Sequence, residues 1–153
     1  MKVAIGSDHA GFTLKEGVVR HLAERGVDYV DFGVFSSERS DFPDTGVLVA
    51  ESVADGEYDL GILICYTGIG MSIVANKVPG IRAALCRDSE CAVLSREHND
   101  SNILVLGACA TPIEEARGIV DTWLCTQFPG EERHARRIRK IAEIDEKYGR
   151  GGR

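Results

Sequence analysis

The 153-residue sequence lacks the features that would place a chain in a membrane or send it out of the cell. No run approaches the roughly 20 consecutive apolar residues that a membrane-spanning helix needs. Met1-Lys2 leads straight into a strand-like apolar run, without the longer apolar stretch and small-residue cleavage site of a signal peptide. We therefore expect a cytoplasmic protein with no membrane partner.

A surplus of positive charge is also missing. The formal net charge is -6, whereas binding to nucleic acid over a broad face requires an excess of lysine and arginine. We therefore expect no nucleic-acid partner, although a local basic patch can still bind one small anion.

The cysteines lack the spacing of a disulfide framework or of a metal site. There are five, an odd number, and no two of them form a Cys-x-x-Cys pair. Cys86, Cys91 and His98 lie close together in sequence, but their spacing matches no common pattern of zinc ligands. Reduced thiols without zinc are the expected state.

Short β-branched runs alternate with longer segments of helical periodicity, which is typical of a parallel sheet covered by helices. The predicted strands are 3–7, 28–31, 60–65, 82–85 and 103–106, and their apolar character favours burial on both faces. The first helix has Leu14, Val18 and Leu22 on one side and ends before Gly26, a residue suited to a left-handed cap. Four more helices are predicted to begin at Pro43, after Gly70, at Ser89 and at a Thr111-Pro112 capping box, and a last one after Gly130.

These elements predict an α/β fold. We expect a three-layer α/β/α sandwich with a five-stranded parallel sheet, Rossmann-like, and an extra C-terminal helix that carries Ile138, Ile141 and Ile144. Residues 1–148 are expected to form a single domain, and 149–153 a disordered tail.

Ligands of open parallel sheets bind outside the carboxyl ends of the strands, so the loops after the first and third strands are the first candidates. They read Gly-Ser-Asp-His-Ala-Gly at 6–11 and Cys-Tyr-Thr-Gly-Ile-Gly at 65–70. Gly68 and Gly70 can let several backbone N–H groups turn toward one anion, although an ordinary tight turn is the alternative. A dinucleotide site would follow the first strand, and a P-loop would continue with Lys-Ser/Thr, so neither motif fits.

Cys65 ends the third strand and faces those amides, at a helix N-terminus that favours a thiolate able to act as base or nucleophile. A buried structural cysteine is the alternative. Asp8 and His9 can equally be a helix cap and its neighbour, and Thr67 a turn hydroxyl.

Two further candidates lie elsewhere in the sequence. His98-Asn99 precedes the fifth strand and so belongs to the opposite, amino edge of the sheet, which argues against a site within one chain. Arg133 and Arg137 share one helical face and can together bind a phosphate, or they form a solvated basic face.

Seven segments, taken in order along the chain, resemble segments of a known protein family. They are 6–11, 31–33, 59–65, 67–72, 75–82, 95–100 and Arg133-His134. Over nearly the whole chain they resemble the type B ribose-5-phosphate isomerases and the related galactose-6-phosphate and allose-6-phosphate isomerases.

The resemblance implies interconversion of ribose 5-phosphate and ribulose 5-phosphate through a cis-enediolate, without metal or cofactor. It implies that Cys65 moves the proton between C2 and C1, that His98 is the acid that opens the furanose ring, and that Asp8 and Thr67 handle the proton between O1 and O2. The implied sugar and phosphate contacts are Asp8, His9, Tyr66, Thr67, Gly68, Ile69, Gly70, Asn99, Arg133 and Arg137. It also implies a site shared between two subunits, in a homodimer or a dimer of dimers.

The sequence departs from this family at two positions. Tyr66 stands where Gly or Ser is usual, and Cys109 where an arginine usually contacts phosphate, a role that Arg136 can take over. An isomerase of a hexose 6-phosphate and a non-catalytic subunit that binds a sugar phosphate therefore remain alternatives.

Overall fold

The computed structural model describes residues 1–149, which form a five-stranded, all-parallel sheet between two layers of helices. The strands are β1 (Lys2–Ser7), β2 (Asp28–Asp31), β3 (Leu60–Cys65), β4 (Ala83–Leu85) and β5 (Ile103–Gly107). The helices are α1 (Phe12–Glu24), α2 (Phe42–Ala54), α3 (Ile69–Ala75), α4 (Ser89–Asn99), α5 (Ile113–Cys125) and α6 (Glu132–Gly149). The predicted α/β fold with an extra C-terminal helix is confirmed.

The strand order is β2-β1-β3-β5-β4, so β3 lies at the centre and is buried along its whole length. Ser7 of β1 is in register with Ile64, and Cys65 with Gly107 of β5. The carboxyl ends of the three inner strands therefore end at one level, where their loops form a common edge.

Apolar side chains of successive strand residues point to opposite faces, which creates two separate cores. On one face β1, β3 and β5 pack against α1, α4 and α5, with Leu14, Val18 and Leu22 all buried as their four-residue spacing predicts. On the other face the sheet packs against α2 and α3, and Cys65 and Met71 belong to this second core. Burial of each such Leu or Val contributes roughly 1.5–3 kcal/mol.

The two outer strands differ from the prediction that every strand is buried on both faces. Residues of β2 alternate between exposed and half-buried, and those of β4 are half-buried or exposed. Each of these strands has a neighbour on one side only and is covered less completely by the helices.

Helix starts also differ in detail. The predicted capping box at Thr111 is wrong, because Pro112 takes an extended conformation (φ -58°, ψ 153°) at the N-cap of α5 and no side chain caps the helix. α2 begins one residue before Pro43 and α3 one residue before Gly70. Gly26 has φ +66°, so the predicted left-handed end of α1 is confirmed. Of the predicted tail 149–153, Gly149 is instead the last residue of α6, and residues 150–153 lie outside the described residues.

The last helix packs at the amino edge of the sheet. The ring of His134 lies on that of His98 in α4, and the Gly80 N–H donates to Asp145 at 3.0 Å, just before β4 begins. Ile141 and Ile144 remain exposed. Within residues 1–149, none of the helices combines the length and the apolar character that crossing a membrane requires.

Candidate active site

Cys65 lies at the carboxyl edge, as its position at the end of β3 predicts. The residue is 5% exposed, and its Sγ accepts a hydrogen bond from the Gly68 N–H at 3.2 Å. Its carbonyl accepts from the N–H of Ala108, which follows β5, at 2.9 Å. The sulfur is thus held between apolar packing on the α2–α3 face and a backbone donor of the following loop.

The loop 66–70 turns sharply because of two glycines. Gly68 has φ +77°, a region that favours glycine, and a Cβ there would lie 2.4 Å from Leu85 Cδ1. Gly107 lies so close to Thr67 that a Cβ would lie 2.6 Å from its carbonyl oxygen. Both glycines permit the backbone to fold back over the Cys65 sulfur.

The side chains of this loop are mainly exposed. Thr67 Oγ1 accepts from the Ile69 N–H at 3.3 Å, which is the turn-hydroxyl arrangement, and Tyr66 is 62% exposed at the rim. Gly70 lies in the first turn of α3, where a Cβ would lie 2.9 Å from the Phe42 ring. The Phe42 contact joins this loop to the start of α2.

Asp8 and His9 line a neighbouring cleft of about 660 Å³. The Asp8 N–H donates to the Ile64 carbonyl at 3.2 Å, which places Asp8 beside Cys65, and its Oδ1 accepts from the Gly11 N–H at 2.8 Å. Asp8 therefore has a turn-forming role, and its second carboxylate oxygen has no partner among the described residues.

Sequence reasoning missed the other wall of this cleft. It consists of Arg39, Ser40, Asp41, Phe42 and Asp44, from the loop between β2 and α2. Ser40 Oγ accepts from the His9 N–H at 3.0 Å, and His9 Nδ1 accepts from the Ser40 N–H at 3.3 Å, which leaves Nε2 as the protonated ring nitrogen that can donate to a ligand. The loop follows the carboxyl end of β2, so it lies at the ligand-binding edge of the sheet, as the loops after β1 and β3 do.

The remaining predicted residues form a second group, which we call the α4–α6 group: His98 and Asn99 at the end of α4, and Arg133 and Arg137 on α6. His134 joins them, since its ring is stacked on that of His98 with 4.3 Å between centroids. Arg133 pairs with Glu131 at 2.9 Å, and Arg137 has no ion pair among the described residues.

Burial, the nearby His98 and Arg133 hold the pKa of His134 below its usual value, against the opposing effect of Glu131. Neither ring nitrogen of this 3%-exposed residue has a hydrogen-bond partner in the described chain. The α4–α6 group therefore contains an uncharged, buried imidazole behind His98.

The α4–α6 group and Cys65 lie at opposite edges of the sheet within one chain. Cys65 is in register with Gly107, whereas His98 and Asn99 precede Ile103 at the other end of β5. Four residue steps along a parallel strand span roughly 13 Å. The structure thus brings together the loops after β1, β2 and β3 but does not bring His98 to Cys65.

The three residues considered for zinc do not form a metal site. Burial raises the pKa of the Cys86 thiol to about 11, while Cys91 is exposed and His98 faces His134. In residues 1–149, no three His, Cys, Asp or Glu side chains are grouped so that they could hold a metal ion.

Comparison with known proteins decides the family. A sequence model of the family described as Ribose/Galactose Isomerase matches residues 3–141. The chain belongs to the ribose/galactose isomerase family. The resemblance drawn from the sequence motifs is confirmed.

Relatives within the ribose/galactose isomerase family are similar over almost their whole length. Ribose-5-phosphate isomerase B of Escherichia coli (strain K12) is 50% identical over 146 residues, 95% of this chain and 97% of the relative. The solved structure of ribose-5-phosphate isomerase B from Clostridium thermocellum has a TM-score of 0.95 at 54% identity, covering 97% of this chain and 99% of the other.

One solved structure of this family contains a sugar phosphate. Ribose-5-phosphate isomerase B from Mycoplasma genitalium, described with bound ribulose 5-phosphate, has a TM-score of 0.90 at 40% identity and covers 95% of this chain and 97% of that one. A family member with this fold thus holds the ketose product of the expected reaction.

Proposed function

We propose that this chain interconverts ribose 5-phosphate and ribulose 5-phosphate through a cis-enediolate, with Cys65 as the base. The observation that carries the proposal is the Cys65 sulfur at the carboxyl edge, which accepts the Gly68 N–H at 3.2 Å beside the Asp8–His9 cleft. A hydrogen-bond donor at sulfur stabilises a thiolate more than a thiol. The names of the relatives support the choice of substrate.

In the forward direction the thiolate of Cys65 removes the C2 proton of the open-chain aldose. The electron pair forms the C1–C2 double bond, and negative charge develops on O1. The Gly68 and Ile69 N–H groups already donate to Cys65 Sγ and Thr67 Oγ1, so the other backbone N–H groups of residues 66–70 are the proposed donors to that charge. One such donor can contribute about 3–4 kcal/mol to transition-state stability. Asp8 and Thr67 move the O2 proton to O1, and Cys65 then returns its proton to C1 to give the ketose.

The proposed substrate contacts come from the loops at the carboxyl edge and from the α4–α6 group. The proposed ligands of the sugar and its phosphate are Asp8, His9, Tyr66, Thr67, Gly68, Ile69, Gly70, Asn99, Arg133 and Arg137. His9 Nε2 and the guanidinium of Arg137 are without partners in the described residues, so both can donate to a phosphate at no loss of an internal contact. No metal or cofactor takes part in the proposed reaction.

A homodimer is the proposed catalytic unit, because each complete site needs Cys65 from one copy and the α4–α6 group from the other. The separation of these groups within one chain supports the proposal. So does an apolar surface beside the cysteine loop, where Ile69 and Ile73 on one face of α3 are 55% and 57% exposed, next to the partly exposed Leu85. Pairing of dimers into tetramers is a further possibility of the same proposal.

The proposal also places the protein in the cytoplasm, without a nucleic-acid partner. A charged sugar phosphate does not cross a lipid bilayer unaided, so an enzyme that uses it is placed in the cytoplasm. The net charge of -6 supports the absence of a nucleic-acid partner.

The test of the chemistry uses purified protein and ribose 5-phosphate in deuterated buffer with a metal chelator. We expect ribulose 5-phosphate that carries deuterium at C1. Cys65→Ala is expected to lower kcat by roughly 10²–10⁴-fold. Cys125→Ala, which removes an exposed cysteine of α5, is the matched control. Equal turnover by wild type and Cys65→Ala would remove the proposal.

The test of the shared site mixes two inactive variants. In a hybrid dimer of Cys65→Ala and His98→Ala chains, one site contains both substitutions and the other contains neither. Unfolding and refolding an equal mixture should therefore recover about a quarter of the wild-type activity. A mixture as inactive as each variant alone would show that both residues act from the same chain, and an active His98→Ala variant would show that His98 is not required.

A hexose 6-phosphate remains the second candidate, because the exposed ring of Tyr66 stands at the rim and Cys109 is not a phosphate ligand. Specificity constants for ribose, allose and galactose phosphates distinguish the two. A tenfold preference corresponds to about 1.4 kcal/mol of transition-state binding.

A further inference from the structure

Asp100 is the one non-glycine residue with a positive φ in residues 1–149. Its dihedrals (φ 45°, ψ 49°) are those of the left-handed region, and it directly follows His98-Asn99 as the C-cap of α4. This conformation is strained for an aspartate, and such strain persists only where the surroundings hold it.

Two arginines hold Asp100 in place. Arg82 Nε donates to the carbonyls of Asn99 and Asp100 at 3.0 and 2.9 Å, and its Nη2 donates to Asp100 Oδ2 at 2.9 Å. Arg96 Nη1 donates to Asp100 Oδ1 at 3.2 Å. Both carboxylate oxygens and the two carbonyls at the end of α4 are therefore fixed.

The two arginines are themselves anchored on different elements. Arg82 immediately precedes β4, whereas the guanidinium of Arg96 lies 5.6 Å from the Trp123 ring of α5, and its Nε donates to the Thr126 carbonyl at 3.1 Å. The end of α4 is thereby tied to the sheet and to α5. We call Arg82, Arg96 and Asp100 the clamp.

A helix end of this kind does not by itself need such a clamp. α1 also ends in a left-handed residue, but there it is Gly26, which is exposed and is held only by backbone hydrogen bonds. A glycine at position 100 would satisfy the backbone without strain or charge. What differs at the end of α4 is that the last two helical residues are His98 and Asn99.

We propose that the clamp positions His98 and Asn99 for the reaction, so that Asp100, Arg82 and Arg96 are positioning residues rather than contacts of the sugar. The inference rests on the proposed function, in which His98 opens the furanose ring and Asn99 contacts the sugar. In that step the C1–O4 bond breaks, O4 takes a proton from His98, and the O1 hydroxyl gives its proton to solvent as the C1 carbonyl forms.

The two substrates differ in whether they need the ring-opening step. Ribose 5-phosphate is a furanose in solution and must be opened. Ribulose 5-phosphate is open-chain, because its C5 oxygen carries the phosphate and cannot close a five-membered ring on C2. Exchange of its C1 proton with solvent therefore needs Cys65 but does not need the ring-opening acid.

The experiment compares Asp100→Asn and Asp100→Gly with Asp88→Ala. Asn and Gly both tolerate the left-handed conformation, so the variants remove the charge pairs without adding strain. Asp88 caps the other end of the same helix by accepting the Cys91 N–H at 2.7 Å, so its loss weakens α4 without touching the clamp. Each variant is assayed for turnover of ribose 5-phosphate and for C1 exchange of saturating ribulose 5-phosphate in deuterated buffer.

We expect both Asp100 variants to lose roughly 10- to 100-fold in kcat with ribose 5-phosphate while keeping the exchange rate within about threefold of wild type. Asp88→Ala should lower the melting temperature without changing the ratio of the two rates. Equal losses in both assays, or no loss in either, would overturn the proposal.

An independent readout covers the case in which the wild type is inactive on both sugars, which would refute the proposed function. The ring signals of His98 are then followed by NMR in the same variants. A shift of these signals in Asp100→Asn and Asp100→Gly, absent in Asp88→Ala, supports positioning by the clamp. Unchanged signals in all variants refute it.

Discussion

His98 and His134 lie face to face, with ring centroids 4.3 Å apart and planes inclined by only 7°. His98 comes from the end of α4 and His134 from the first turns of α6, so the pair joins the last helix to the amino edge of the sheet. Two parallel imidazoles at this distance cannot both be charged without repulsion. The stack therefore favours at least one neutral ring.

The first prediction is a loss of stability in acid that depends on His134. Burial, then His98, Arg133 and Arg137, lower its pKa in the folded protein, while Glu131 raises it. The unfolded chain takes up the proton as pH falls below about 6.5, whereas the folded chain resists, so the unfolded state gains stability. The contribution of His134 is therefore zero above that pH and increasingly unfavourable below it, down to the lowered pKa.

His134→Phe tests this, because phenylalanine keeps a flat ring for the stack and cannot be protonated. Urea midpoints are measured between about pH 7.5 and pH 5.5 for both proteins. We expect the wild type to lose more stability across this range than the variant. Parallel pH profiles would show that His134 does not titrate differently in the folded and unfolded states.

The second prediction concerns a buried lysine. The Lys15 side chain is fully buried and forms an ion pair with Asp31, while its second partner, Glu16 at 3.2 Å, is 40% exposed. Asp31 also accepts the Gly33 N–H at 2.8 Å, which fixes the turn after β2. We expect Asp31→Ala to cost about 3–5 kcal/mol in the free energy of unfolding, because among the described residues it leaves the buried ammonium with Glu16 as its one carboxylate partner, besides the rings of Phe12 and Phe35.

Glu16→Ala is the matched control for Lys15 and should cost less than about 1 kcal/mol, as exposed ion pairs do. The double variant Lys15→Met with Asp31→Asn should recover much of the loss, since it removes the buried charge and keeps an acceptor for Gly33. Denaturation in urea measures all three. Equal costs for Asp31→Ala and Glu16→Ala would contradict the prediction.

The sequence allowed the inner strands and the first helix to be predicted because burial there leaves a periodic signal. All six residues of β3 are buried, and Leu14, Val18 and Leu22 repeat every four residues along α1. The exposure of β2 and β4 could not be predicted in the same way. Which strand lies at an edge depends on the crossover order of the whole sheet, and no local pattern encodes it.

In the candidate site too, residues with a local sequence signal could be predicted, and residues placed by the overall topology could not. Cys65, Asp8 and His9 were predictable because their loops directly follow recognisable inner strands. Arg39 and Ser40 were missed, since their place opposite His9 depends on β2 pairing with β1. Within the clamp, Arg96 and Asp100 are an i,i+4 pair that helical spacing could have predicted. Arg82 and the His98–His134 stack were missed because their partners are distant in sequence and meet only through tertiary packing.

The third prediction compares two glycines that both have a positive φ. Gly26 and Gly68 have φ +66° and +77°, but a Cβ meets nothing within 4 Å at Gly26, whereas at Gly68 it meets Leu85 Cδ1 at 2.4 Å. Gly26→Ala should therefore cost about 1–2 kcal/mol from backbone strain alone. Gly68→Ala should cost more and also lower kcat, because the loop must move away from the Cys65 sulfur.

Urea denaturation and kinetics on the same preparations measure these two effects. A Gly68→Ala variant with the stability loss of Gly26→Ala and unchanged kcat would mean that the Gly68 N–H has no role at the sulfur.

The fourth prediction restores a charge at Cys109. This exposed residue follows β5 at the carboxyl edge, and its N–H donates to the Tyr66 carbonyl at 2.8 Å, so its side chain starts beside the cysteine loop. The sequence resemblance implies that an arginine usually contacts phosphate at this position. A charge-assisted hydrogen bond contributes about 1.5–3 kcal/mol, so Cys109→Arg should lower KM for ribose 5-phosphate roughly tenfold or more.

The kcat of Cys109→Arg should stay nearly constant, because a phosphate contact holds the substrate and the transition state equally. Cys109→Met adds length and apolar area without charge and should leave KM unchanged. Competitive inhibition by inorganic phosphate is expected to strengthen in parallel with the fall in KM, which links the gain to the phosphate and not to the sugar. If Cys109→Met lowers KM as much as Cys109→Arg, the gain comes from packing against Tyr66, and the site does not lack a cation at this position.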